Sequence, residues 1–131
     1  MNKKVLILAG VVVGLAAGPA VAHHSGAMFD RSKIVELKGT VKEFGWNNPH
    51  AHVAIDVANA QGVVEQWNIE AGSPNTMIKQ GWRKSSLKPG DKVTLIIRPM
   101  RDGSKGGTLE GAVTAAGQKI GRDGPLNPTA S

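Results

Sequence analysis

Val63-Val64-Glu65-Gln66-Trp67-Asn68-Ile69-Glu70, followed after Ala71-Gly72 by Ser73-Pro74-Asn75-Thr76-Met77-Ile78-Lys79-Gln80-Gly81, is the stretch on which the fold turns. In the first part Val63, Glu65, Trp67 and Ile69 oppose Val64, Gln66, Asn68 and Glu70, the period of a strand. The second part reads as a short helix. Ser73 caps it, Pro74 sits in the first turn where its missing N–H costs nothing, and Gly81 stops it. Trp82 follows at once and is expected to pack that helix against a sheet.

Upstream, residues 34–46 alternate well enough for a long strand, with Val35, Leu37, Gly39 and Val41 on one side and Gly39 or Gly45 permitting a bend. Asn47-Asn48-Pro49 is a turn, and residues 50–57 form a second strand. Asn59-Ala60-Gln61-Gly62 joins it to the third. Downstream, Ser86 to Asp91 turns into a fourth strand, Lys92 to Arg98. The loop Gly103-Ser104-Lys105-Gly106-Gly107 precedes a fifth, Thr108 to Ala115. Five strands with one short helix between the third and fourth give an all-β fold, a five-stranded, OB-like, partly open barrel. A small antiparallel sandwich or an incompletely closed roll is the alternative. Closure suits a chain with no cysteine, because it hides strand edges that no disulfide protects.

The chain has 131 residues, enough for one domain and too few for two lobes around a deep cleft. Residues 1–22 read as a signal peptide: Asn2-Lys3-Lys4 is positive, Val5 to Ala17 is apolar, and Ala20-Val21-Ala22 is a small-X-small cleavage pattern. The apolar run is too short for a comfortable membrane span, so no stable membrane insertion is expected after signal removal. The barrel is assigned to residues 23–120, and residues 121–131, rich in glycine, proline and small polar residues, to a flexible tail. From His23 onward there are 14 basic and 10 acidic side chains, a net charge of +4. The excess is mild, and export separates the protein from cytoplasmic nucleic acid, so no nucleic-acid role is expected. Binding of an acidic polymer through Lys84, Lys88, Lys92, Arg98 and Arg101 stays open.

The residues with chemical potential are the four histidines, His23, His24, His50 and His52. Cleavage after Ala22 makes His23 the terminal residue, offering an α-amine and an imidazole to one metal, with His50 or His52 as further ligand. Amine and imidazole donors suit Cu(II). Cleavage after Ala20 makes His23 the third residue, an alternative nitrogen site for Cu(II) or Ni(II). Against this, His50 after Asn-Asn-Pro would serve equally to brace the turn by side-chain hydrogen bonds. Trp46 would line a pocket with His50 or close the barrel end. Glu70 and Asp30 are the carboxylates placed to orient a histidine. There is no phosphate-binding glycine loop, no His-Glu-X-X-His and no Gly-X-Ser-X-Gly, and cysteine chemistry is impossible. No catalytic residue is assigned, and an enzyme is not the expected reading.

Taken in order, His23-His24-Ser25, Phe29-Asp30, Leu37-Lys38-Gly39-Thr40-Val41, Trp46-Asn47-Asn48-Pro49-His50, Gly72-Ser73-Pro74-Asn75, Gly81-Trp82 and Lys88-Pro89-Gly90-Asp91 resemble an uncharacterised family of small periplasmic proteins of Gram-negative bacteria, known only as a domain of unknown function. The resemblance runs from His23 to about Lys119. It implies a periplasmic location and no particular activity. The leading expectation is a periplasmic binding module that holds copper through the mature amino terminus with His50 or His52. The competing one is a metal-independent structural or protein-interaction domain of the cell envelope.

Overall fold

The computed structural model describes residues 26–121. The expected signal peptide, His23, His24 and residues 122–131 of the expected tail lie outside them. The elements are a 3-10 turn (Gly26–Met28), β1 (Val35–Gly45), β2 (His52–Ala58), β3 (Val64–Glu70), α1 (Pro74–Lys79), β4 (Lys92–Pro99), β5 (Gly106–Thr114) and β6 (Lys119–Gly121). The five expected strands and the single helix are present. β6 is an addition that carries an ordered strand to Gly121, where the sequence reading begins the tail.

The sheet runs β3-β2-β1-β4-β5-β6, and a parallel β3–β5 pairing from Asn68↔Gly106 to Glu70↔Thr108 bends it round on itself. This is the five-stranded, OB-like barrel arrangement, with β6 added on β5 opposite Gly111 to Val113. Closure is partial: β3 and β6 share the outer edge of β5, and residues 64–67 of β3 have β2 as their one strand neighbour.

Alternation drives burial. Leu37, Val41, Val53, Ile55, Ile69, Leu95 and Ile97 all point inward and are no more than 5% exposed. In β1 the period breaks at a bulge between Val41 and Glu43. The extra residue, Lys42, flips the later side chains, so Phe44 turns to the core instead of Glu43. The close approaches at β1 fall on glycines: a Cβ on Gly39 would collide with the carbonyl oxygen of Asp56.

The helix forms as its punctuation demands. Ser73 Oγ accepts the Thr76 N–H at 3.3 Å, Pro74 is in the first turn, and Gly81 leaves the helix with φ at 91°. Its inner side buries Pro74 and Met77. Trp82, 1% exposed, packs the segment onto the barrel and meets Phe44 with ring centroids 6.1 Å apart. Trp67 is half-buried beside the core rather than within it, opposite the fully buried Ile55.

Candidate functional site

The site grows from the end of β1. After Gly45 the chain turns through Trp46 to Pro49, with a cis Asn48–Pro49 peptide, and enters β2 at His52. His50 therefore precedes the strand instead of lying on it. Its place is fixed by main-chain pairing beyond the strand ends: the Ala51 N–H donates to Gly72 O at 2.9 Å, and the Ala71 N–H to Ala51 O at 2.8 Å. The His50 imidazole lies 3.2 Å from Ala71 O through Nδ1, and since a carbonyl only accepts, Nδ1 carries the proton and donates. Nε2 then holds the ring's lone pair. Glu70 Oε1 stands 3.8 Å from Nδ1, an ion-pair distance when the ring is protonated.

His52 is held separately. Its Nε2 lies 3.1 Å from Glu43 Oε1, and the ring rests over Gly45, where any Cβ would overlap it. Each histidine near the turn thus has its own carboxylate, Glu70 for His50 and Glu43 for His52.

Two recesses meet at His50. The larger, about 590 Å³, is an open groove lined by Phe29, His50, His52, Met100 and Lys105, with Gly106 and Gly107 at the start of β5. Phe29 and Met100 come together through an isolated antiparallel bridge, and Lys105 pairs with Glu65 at 3.4 Å. The smaller recess, about 540 Å³, is polar and includes Gly26, Arg31, Glu70, Arg98 and Glu110. Arg98 Nε donates to Glu110 Oε1 at 2.9 Å, and its Nη1 donates to the Arg31 carbonyl. Phe29, His50 and Glu70 line both recesses and form their shared wall.

Of the residues marked by sequence, the structure joins His50 with Glu70 and sets His52 in the same groove. Trp46 is half-buried and meets Phe44 edge-on at 5.6 Å; neither recess is lined by it. Asp30 serves its own turn, accepting the Ser32 hydroxyl at 2.6 Å and the Ser32 N–H at 3.0 Å. Those two bonds, the hydroxyl first, hold its carboxyl below the ordinary aspartate value, with a smaller contribution from Lys33. In the loop beside the groove, Asp102 is lowered in the same way by Ser104.

Among the described residues no group of three His, Cys, Asp or Glu side chains is placed to hold a metal ion, and no buried side-chain nitrogen or oxygen lacks a partner. Sequence reading missed Phe29, Met100 and Lys105 as neighbours of the histidines. Only the rarity of phenylalanine in this chain marks Phe29 as a candidate.

Fold and site together define a small OB-like barrel with a histidine-walled groove at one end of its β3–β5 closure. The chain belongs to DUF6152, a family of unknown function, whose sequence profile matches residues 10–110. Comparison with curated proteins and with solved structures gives no match.

Proposed function

We propose that the protein is a metal-independent interaction module of the bacterial cell envelope, acting in the periplasm and holding an apolar segment of a partner protein in the groove between His50 and Met100. The observation that carries this is the groove itself: Phe29 and Met100 supply apolar surface, and His50, His52 and Lys105 supply polar groups at its walls. That mixture of apolar lining and a few directional polar groups is what a recognition site needs. His50 is also braced by Ala71 O, which orients Nε2 as a fixed acceptor. The test is photocrosslinking from a probe at Met100 in intact cells, with and without a chelator. A specific protein adduct that survives chelation and is lost with His50→Ala supports the reading. No adduct in correctly processed protein, or one that requires metal, sinks it.

A second reading follows from Gly26, which lines the recess shared by His50 and Glu70. His23 lies three residues earlier in the sequence, a reach of about 10 Å. A Cu(II) site built from the amino terminus and His23, or His24, with His50 Nε2 is therefore within chain length, and Nδ1 bonded to a carbonyl is the usual support for a metal-bound imidazole. Copper would there be held by nitrogen donors, as suits Cu(II). Titration of the mature protein with Cu(II), followed by electron paramagnetic resonance, separates the readings: one tight nitrogen-rich site, abolished by an amino-terminal extension, favours copper.

A further inference from the structure

The surplus positive charge of this chain is concentrated on one segment. Between residues 79 and 92 stand Lys79, Arg83, Lys84, Lys88 and Lys92, opposed by Asp91 alone, a net charge of +4. Nine cations and nine carboxylates in the rest of residues 23–131 cancel, so this segment accounts for the whole net charge after the signal region. All five cations are exposed, and none makes an ion pair within the described residues. Asp91, already counted in that net charge, forms no ion pair with any of them; its Oδ2 accepts the main-chain N–H of Lys88 at 2.9 Å.

The segment is rigidly mounted. Met77, Trp82 and Leu87 are each no more than 2% exposed and pin it to the barrel. The Arg83 N–H donates to Ser86 Oγ at 2.7 Å and the Ser86 N–H to Arg83 O at 2.9 Å, closing a tight turn. Amid these charges Ile78 is 44% exposed, one of three large apolar side chains among the described residues left open to water. Arg83 Nη1 donates to the main-chain carbonyls of Ile78 at 3.2 Å and Trp82 at 2.8 Å, which holds its guanidinium at the end of the helix that carries Ile78, and Lys79 follows Ile78 in the chain. Arg98 and Arg101 stand outside this segment: Arg98 is paired with Glu110, and Arg101 donates to the Ala27 carbonyl.

We infer that this face docks on an anionic lipid bilayer, with Lys79, Arg83, Lys84, Lys88 and Lys92 facing the headgroups and Ile78 reaching toward the acyl boundary. Cations around a protruding apolar side chain fit the charged, half-apolar surface of a membrane, whereas a soluble polyanion has no use for Ile78. The contact is peripheral. No helix among the described residues is long and apolar enough to cross a membrane, and the surface works through charge and one shallow anchor. It lies apart from the groove and does not depend on what the groove holds.

The experiment is cosedimentation of the full mature chain with vesicles of phosphatidylcholine alone and of phosphatidylcholine mixed with phosphatidylglycerol, at low and high salt. Binding is expected only to the anionic vesicles and is expected to fall steeply with salt. Each charge removed should weaken it about fivefold, so Lys84→Gln with Lys88→Gln should lose about 25-fold. Ile78→Ser should weaken binding while leaving its salt dependence in place. Lys33→Gln with Lys119→Gln removes as much charge outside the segment and should change binding far less. Equal partition into neutral and anionic vesicles, no binding to either, equal losses from the two double variants, or binding to heparin without binding to vesicles would each overturn the inference.

Discussion

Gly45 lies opposite His52 in the β1–β2 register, and its bare Cα is the surface on which the His52 imidazole rests while reaching Glu43. Gly39, earlier in the same strand, has a different neighbour: a Cβ there would strike the main-chain oxygen of Asp56. A ring at the end of a side chain can swing aside, and a strand carbonyl cannot. Gly45→Ala is therefore expected to cost no more than about 0.5–1.5 kcal/mol, the scale of an off-rotamer side chain. Gly39→Ala is expected to cost about 1–3 kcal/mol or more. Urea denaturation checks both, and a double-mutant cycle should show that the Gly45→Ala penalty shrinks once His52 is alanine.

Trp82 is the largest fully buried side chain and ties α1 to the barrel through Phe44. Trp82→Ala should cost about 3–5 kcal/mol, a large share of the stability of a domain this size. Trp82→Phe should retain much of it. Thermal unfolding followed by far-ultraviolet circular dichroism would show this, and equal losses from both variants would mean that burial of the ring is not what holds the helix down.

The lowered carboxyl of Asp30 links the turn before β1 to pH. A group whose folded pKa lies below its unfolded value stabilises the fold above the unfolded value, here near 3.8, and that stability is lost as pH falls through the folded value. Ser32→Ala removes the hydroxyl bond to Asp30, the larger cause, and should lower stability from about pH 4 up through neutrality while leaving it little changed at pH values below the folded pKa, so that the acid limb flattens. Asp102 should behave alike through Ser104. Chemical denaturation across the acid range, compared with the Asp30→Asn variant, is the check.

His50 is about half exposed, and its one hydrogen bond runs to Ala71 O. His50→Ala should therefore cost about 0.5–1.5 kcal/mol and leave the fold intact. That outcome, read by calorimetry, makes the variant a fair probe of the groove. A much larger loss would show that His50 acts mainly as a brace between the β1–β2 turn and the end of β3.

How far the chain could be read in advance differs between fold and site. The alternation in residues 63–70, the cap at Ser73 and the stop at Gly81 were legible because each depends on neighbours a few residues away. The bulge at Lys42 was not, since an extra residue is recognised only against the partner strand that fails to match it. β6 escaped notice for the same kind of reason: Lys119–Gly121 is too short to declare itself without Gly111 to Val113 beside it. Of the two carboxylates that sequence offers, Glu70 and Asp30, it is Glu70 that stands beside His50: the β2–β3 register sets Glu70 opposite His52, and the hydrogen bonds of Ala51 with Ala71 and Gly72 continue that pairing to His50.

Composition, turn chemistry and period alone determine a small, disulfide-free, mostly β domain with a capped helix between its third and fourth strands, because those signals are local and repeat along the chain; that the sheet closes as a barrel rather than stacking as a sandwich is decided by the β3–β5 pairing. Which surfaces it offers is another matter. Asn68 reaches Gly106 only when the sheet closes, Phe29 meets Met100 and Trp82 meets Phe44 only in the folded chain, and no pattern of nearby residues records contacts so far apart in sequence. The groove at His50 exists because that closure brings its walls together.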